Sequence, residues 1–213
     1  MQKYPFQLYA LPYEYGAMEP NIEEECVYLH YSVALKNYVE TLNRLLRPYP
    51  AYQGWDLQKL ACECGALPEE IRMPVRVCAG GIINHELFFN GLKNGGNTEP
   101  SHPLSAAIDR SFGSFANFQK EMKKKVNALV GSGYVFLAVN KTPEHFGELA
   151  LISLINEDTL HQKAWQPILV IDVWEHAYFL EYQYSRCDYV ENWLKIINWE
   201  EADRRYLEFE AEK

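Results

Sequence analysis

The sequence predicts an α+β chain, with an N-terminal antiparallel helical hairpin followed by a small three-stranded antiparallel sheet surrounded by helices. Three observations carry this. The first 95 residues hold two long runs with helical spacing of apolar side chains; three short β-branched runs follow within 134–173; and the tail returns to helical spacing.

The first helix opens near Pro20, with Glu23, Glu24 and Glu25 in the turn that faces the positive end of the helix dipole. Ile22, Cys26, Leu29, Val33, Leu42 and Leu45 keep its apolar spacing, and Pro48 and Pro50 end it. The second helix is expected to start near Pro74, run through "VRVCAGGIINHELFFNGLKNGG" and stop at Gly95 and Gly96. The loop "NTEPSHP" at 97–103 marks a boundary between a domain 1–96 and a domain 97–213. Two helices broken near Gly113 follow, then strands at 134–140, 149–156 and 167–173. Helix is expected from about Trp174 to Glu212.

The formal net charge of −9 argues against nucleic acid, because no basic stripe is present to neutralise phosphates. No apolar stretch reaches the roughly 18–20 residues of a membrane span, and the N-terminal residues lack a secretory apolar core, so a cytoplasmic protein is expected. The 5 cysteines read as reduced thiols; Cys62 and Cys64 form a C-x-C with nothing nearby to complete a zinc site.

The run "IDVWEHAYFL" at 171–180 places Asp172, Trp174, Glu175 and His176 at the end of an apolar strand. Charge in that setting is costly unless paired or bound to a metal, so the stretch is a buried ion-pair site or half of a metal site. Of the 6 histidines, His102, His145 and His161 sit in polar contexts and are expected to be exposed. His30 and His85 lie mid-helix and His176 just past the strand. With Asp172 they make an N3O set, which suits Mn, Fe or Zn rather than Ca or Mg. Asp172 and His176, four apart, face the same way if they share a helical turn.

These residues resemble the iron/manganese superoxide dismutase family over nearly the whole chain: "LPYEYGAMEPNI", "NHELFFNGL", "FGSFANFQKEM", "GSGYVFL" and, most specifically, "DVWEHAYFLEYQYSRCDYVENWLKIINWEE". The resemblance implies one Mn or Fe ion per subunit held by His30, His85, Asp172 and His176. It also implies ping-pong conversion of superoxide to O2 and hydrogen peroxide. Tyr38, Glu157 and Trp174 fall at catalytic positions. Glu175 matches a glutamate that reaches across a dimer interface to the partner's ligand histidine, so a homodimer is implied, or a tetramer built from it.

The surroundings of the ligands depart from the family pattern. A family Lys-His-His run reads Val33, Ala34 and Leu35, and the tyrosine that meets its second residue, the gateway histidine, from the partner subunit falls at Phe179. Glu157 stands where manganese-type members carry a glutamine, and Gly81 where iron-type members supply one from the second helix, so the layout is manganese-type without its amide. An ionised Glu157 only accepts hydrogen bonds and disfavours superoxide; a protonated one donates; a third possibility is direct ligation of the metal. Ile82, Phe89, Tyr134 and Phe136 replace a histidine and three tryptophans. The resemblance thus carries two main readings, a working dismutase and a metal-binding relative with little activity; a third, the same metal turned to slow oxidase or peroxidase chemistry, has no specific residue in its favour.

Overall fold

The computed structural model describes residues 2–160 and 163–211; His161 and Glu212, on which expectations were placed, lie outside the described residues. The first long helix is α1 (Glu24–Tyr28), a π-helical segment Leu29–Leu35, and α2 (Lys36–Leu46). A short α3 (Leu57–Cys62), capped by Asp56 and absent from the sequence reading, precedes α4 (Glu69–Asn90). Helices α2 and α4 pack against each other as the expected hairpin.

The bounds of α4 differ from expectation at both ends. Pro74 lies inside the helix rather than at its start. It forfeits one hydrogen bond, to the Glu70 carbonyl, on an exposed side, while buried Ile71 and Val75 hold that turn against the core. The helix stops at Gly91, whose N–H reaches the carbonyls of Leu87 and Phe88, well before Gly95 and Gly96. The chain leaves there because Leu92 bridges to Ile197 and the Lys93 N–H bonds to the Ile196 carbonyl.

The second half opens with α5 (Leu104–Phe112) and α6 (Phe115–Ala128). Gly113 ends α5 at φ +83°, a conformation that glycine adopts without strain, and the Ser114 hydroxyl caps α6 at Asn117 N (3.1 Å). Strands β1 (Gly133–Asn140), β2 (Leu149–Ile155) and β3 (Trp165–Asp172) form an antiparallel sheet in the order β2-β1-β3. The central β1 is buried along its whole length, as its unbroken apolar run requires. In its register with β3, Tyr134 stands opposite Asp172 and Phe136 opposite Val170.

The tail is not one helix from Trp174. Trp174 is extended, Glu175–Ala177 is a 3₁₀ turn, and α7 (Phe179–Tyr182), α8 (Arg186–Trp193) and α9 (Trp199–Ala211) follow. Asp172 therefore ends a strand, and the four-residue spacing to His176 is spanned by a strand end and a 3₁₀ turn rather than by a helical turn. No helix among the described residues is long and apolar enough to cross a membrane. All five cysteines are free, and His102 and His145 are exposed as expected.

Candidate metal centre

Four elements deliver one side chain each to a single point: His30 from the π-helical segment, His85 from α4, Asp172 from the end of β3 and His176 from the following 3₁₀ turn. Their ligand atoms all lie within 4.8 Å of one another. Nε2 of His30, His176 and His85 stand 3.2, 3.3 and 3.8 Å from Asp172 Oδ2. The other carboxylate oxygen, Oδ1, accepts from the Trp174 backbone N–H at 2.8 Å, which leaves Oδ2 for the centre. His85 Nδ1 lies 2.6 Å from the Gly81 carbonyl, an acceptor, so Nδ1 carries the proton and Nε2 presents a lone pair.

The fit to a metal rests on two orphaned atoms. His30 Nε2 and His85 Nε2 are buried and make no hydrogen bond; His30 Nε2 comes within 3.2 Å of Asp172 but is not aligned for a hydrogen bond. Burial, and then the neighbouring His176, push the His30 imidazole down to about 4, against the pull of Asp172. Burial and His30 push His85 down to about 3. Burial alone would raise the Asp172 carboxyl, but His176 and His30 outweigh it and hold it well below the usual carboxylate range. Burial opposes a charged His176, yet Asp172 prevails and raises it. An ionised carboxylate facing two neutral imidazoles is the protonation state that metal ligation requires.

Aromatic side chains wall the cluster. The His30 ring lies 4.8 Å from Phe89 and 5.3 Å from Phe88, and Trp174 stacks on His176 at 5.6 Å and 15°. Tyr38 sits 5.5 Å from the His85 ring. Behind it, Glu157 is 2 % exposed, and both of its oxygens accept: Oε1 from Tyr38 OH and Oε2 from Tyr134 OH, each at 2.8 Å. Burial and then the charge of Asp172 raise Glu157 to about 7, against the two tyrosine hydrogen bonds.

The local backbone explains how Glu157 arrives there. Asn156 turns the chain out of β2 at φ +51°, which asparagine tolerates. Trp174 Nε1 donates to its carbonyl (3.2 Å), and Asn84 Nδ2 donates to the carbonyl of Asp158 (3.0 Å). A Cβ at Gly80 would stand 2.0 Å from the Glu157 carbonyl oxygen, so only glycine permits this approach. A Cβ at Gly81 would stand 3.0 Å from the Tyr38 ring, which occupies the space that a longer side chain at 81 needs.

Glu175 is not part of the cluster within one chain. It is exposed, accepts from the Ser132 hydroxyl (2.6 Å) and faces Arg186 at 3.7 Å. Sequence reasoning treated Tyr134 as one more aromatic wall and missed its hydroxyl. The available signal was a phenol entering a buried strand in a chain that also buries an extra carboxylate.

Both halves of the chain are similar to known proteins. Residues 5–93 match the alpha-hairpin domain of the iron/manganese superoxide dismutases, and residues 100–205 match their C-terminal domain. The chain is 39% identical over 203 residues to a manganese superoxide dismutase of Thermus aquaticus, covering 95% of this chain and 98% of that protein. It is 36% identical over 201 residues to one of Listeria monocytogenes (94% and 97%) and 36% identical over 202 residues to one of Leptolyngbya boryana (95% and 83%).

Proposed function

Because the chain belongs to the iron/manganese superoxide dismutase family, a family of metal-dependent oxidoreductases with one Mn or Fe ion per subunit, we propose that it converts superoxide to dioxygen and hydrogen peroxide with His30, His85, Asp172 and His176 as the ligands. The observation that carries this is the pair of buried, unpartnered Nε2 atoms converging on one carboxylate oxygen. When bound, the ion supplies one-electron redox cycling, so one superoxide is oxidised and the next reduced.

The residues do the rest. The Trp174 N–H fixes which oxygen of Asp172 turns inward, and the Gly81 carbonyl fixes the His85 tautomer. Phe88, Phe89 and the stacked Trp174 keep bulk water off the imidazoles. Tyr38 holds a proton on its hydroxyl between the site and Glu157 Oε1. Manganese is the metal of this reading: the relatives above are named for it, and the Tyr38 ring fills the place from which iron-type members supply their amide.

The same reading divides the chain into domains 1–96 and 97–213. It makes the working form a cytoplasmic, antioxidant homodimer, or a tetramer assembled from that dimer, with no nucleic-acid or membrane partner. Support comes from exposed apolar side chains within four residues of His30 or His176 in the sequence, Val33 (52 %), Phe179 (42 %) and Leu180 (52 %), which a second copy would cover. Glu175, exposed in one chain, would then meet the partner subunit's ligand histidine.

A second reading, a metal-binding relative with little dismutase activity, is favoured by one observation: both Glu157 oxygens are taken up in accepting from tyrosine hydroxyls, where the family pattern has an amide donor. Decay of superoxide by purified protein, normalised to bound Mn and Fe, separates the two. Decay far faster than the free ion establishes the dismutase; full occupancy with decay no faster than the free ion establishes the second reading.

A further inference from the structure

Building on the dismutase reading, we infer that Tyr134 is a positioning residue for Glu157, the two acting with Tyr38 as one hydrogen-bonded set that fixes a carboxylate where the family layout has an amide. The sheet register provides the placement. Tyr134 stands directly opposite Asp172 in the β1–β3 ladder, and directly opposed residues of an antiparallel pair project to the same face. The Tyr134 hydroxyl therefore arrives beside the ligand cluster, on a fully buried strand.

A phenol has one proton to give, and the geometry decides where it goes. Glu157 Oε2 lies 2.8 Å from the Tyr134 hydroxyl, whereas His85 Nδ1 lies 3.5 Å away and already has the Gly81 carbonyl at 2.6 Å. The proton points to Glu157. Tyr38 supplies the second donor at 2.8 Å, so each carboxylate oxygen has one hydroxyl. Backbone anchors fix the other end of the residue: its carbonyl is pressed against Gly80, and its neighbour Asp158 is paired with Arg76 at 2.6 Å.

This arrangement decides among the roles left open for Glu157. Swinging toward the cluster to ligate an ion would strand the buried Tyr134 hydroxyl and take the partner from the part-buried Tyr38 hydroxyl, and a buried hydroxyl without a partner is costly. Glu157 is held back as an acceptor, and its field rather than its lone pairs reaches the metal. An amide at 157 changes the set, since its NH2 donates and one of the two hydroxyls that now donate would have to turn and accept. Tyr134 and Glu157 are therefore coupled, and neither is neutral when changed alone.

The test is a four-member cycle: the wild type, Tyr134→Phe, Glu157→Gln and the double variant. Two quantities are read, the melting temperature of the metal-free chain and the midpoint potential of the bound ion. In the Glu157 background, Tyr134→Phe is expected to lower the melting temperature by about 2–6 °C, as loss of one buried donor does in a chain of this size. It is also expected to lower the midpoint potential, because a less neutralised carboxylate favours the more positive oxidised ion. In the Glu157→Gln background both shifts shrink to a minor part of that. Equal shifts in the two backgrounds, or a potential that does not move, would overturn the proposal and leave Tyr134 as volume filling.

Tyr134→Trp is the second variant, should the Phe variant fail to fold. Its indole N–H keeps a donor in reach of a carboxylate, so it is expected to cost no more stability with the native Glu157 than with Glu157→Gln, and a clearly larger cost with the native carboxylate would overturn the coupling. The melting cycle uses metal-free protein and decides Tyr134 whether or not the loaded chain consumes superoxide, so the two readings fail separately.

Discussion

Asp172 and Glu157 are both buried carboxylates of one site, 0 % and 2 % exposed, yet their surroundings drive them in opposite directions. Asp172 faces three imidazoles and a backbone N–H, which outweigh burial and keep it ionised. Glu157 faces two neutral hydroxyls and the charge of Asp172, and burial prevails, raising it to about 7. The difference separates two jobs. The proposed ligand cluster would be constrained by donor chemistry, since any loss would remove the ion's seat. On the proposed role, the tyrosine–carboxylate set beside it would tune the field alone, so it could be rewritten provided that its hydrogen bonds were rewritten together.

The largest effect is expected where the cluster is broken outright. Asp172→Ala removes the one anionic ligand, and metal affinity should fall by more than the roughly 10–100-fold that loss of an outer hydrogen-bond partner costs. Metal content after dialysis, read by mass spectrometry, checks this. Retained stoichiometric metal would mean that the three imidazoles suffice and that the contrast between the two carboxylates is unimportant for binding.

A smaller effect sharpens the contrast through pH. In the metal-free chain Glu157 carries its proton up to about 7, whereas the unfolded chain releases it near 4.5. A raised acid pKa means that the folded state binds the extra proton in this window, so the contribution of Glu157 to stability is fully present below about 4.5 and is lost as pH rises through 7. His30 and His85 run the other way. Held at about 4 and about 3 against 6.5 unfolded, they cost stability as pH falls from 6.5 through those values. Glu157→Gln deletes only the first trend. Its stability relative to wild type should therefore improve as pH rises from 4.5 to 7, by about 1 kcal/mol per unit. Chemical denaturation of the two metal-free proteins across that range measures it, and a flat difference would show that Glu157 ionises at an ordinary pH, erasing the contrast with Asp172.

The two regions also differed in how far they were legible in the sequence. His30, His85, Asp172 and His176 stood out because ionisable donors in apolar runs demand an explanation. The helical hairpin and the three strands followed from apolar spacing alone. Tyr134 was legible only as an aromatic, because its partner depends on strand register, a nonlocal property. The π-helical turn around His30 has no breaker in "LHYSVAL" to announce it, although such turns gather at functional sites. Pro74 misled for a related reason: a rule about proline as a helix start ignores whether the lost hydrogen bond faces solvent.

The smallest effect concerns a third place where two changes occur together, the patch expected to meet a second copy. Ala34 is half-buried and Phe179 is 42 % exposed in the single chain, where the family pattern pairs a histidine with a partner's tyrosine. If that patch is the dimer face, Ala34→His alone buries an imidazole against the apolar ring of the partner's Phe179 and should weaken the dimer by about 1–3 kcal/mol. Adding Phe179→Tyr supplies the missing hydroxyl and should recover about 0.5–1.5 kcal/mol of it, the net worth of one hydrogen bond. Sedimentation equilibrium of the two single variants and the double measures this coupling directly. Strictly additive effects would place positions 34 and 179 out of reach of each other in the assembly. Nonadditive recovery would establish that this interface, like the Glu157 set, changes by matched pairs.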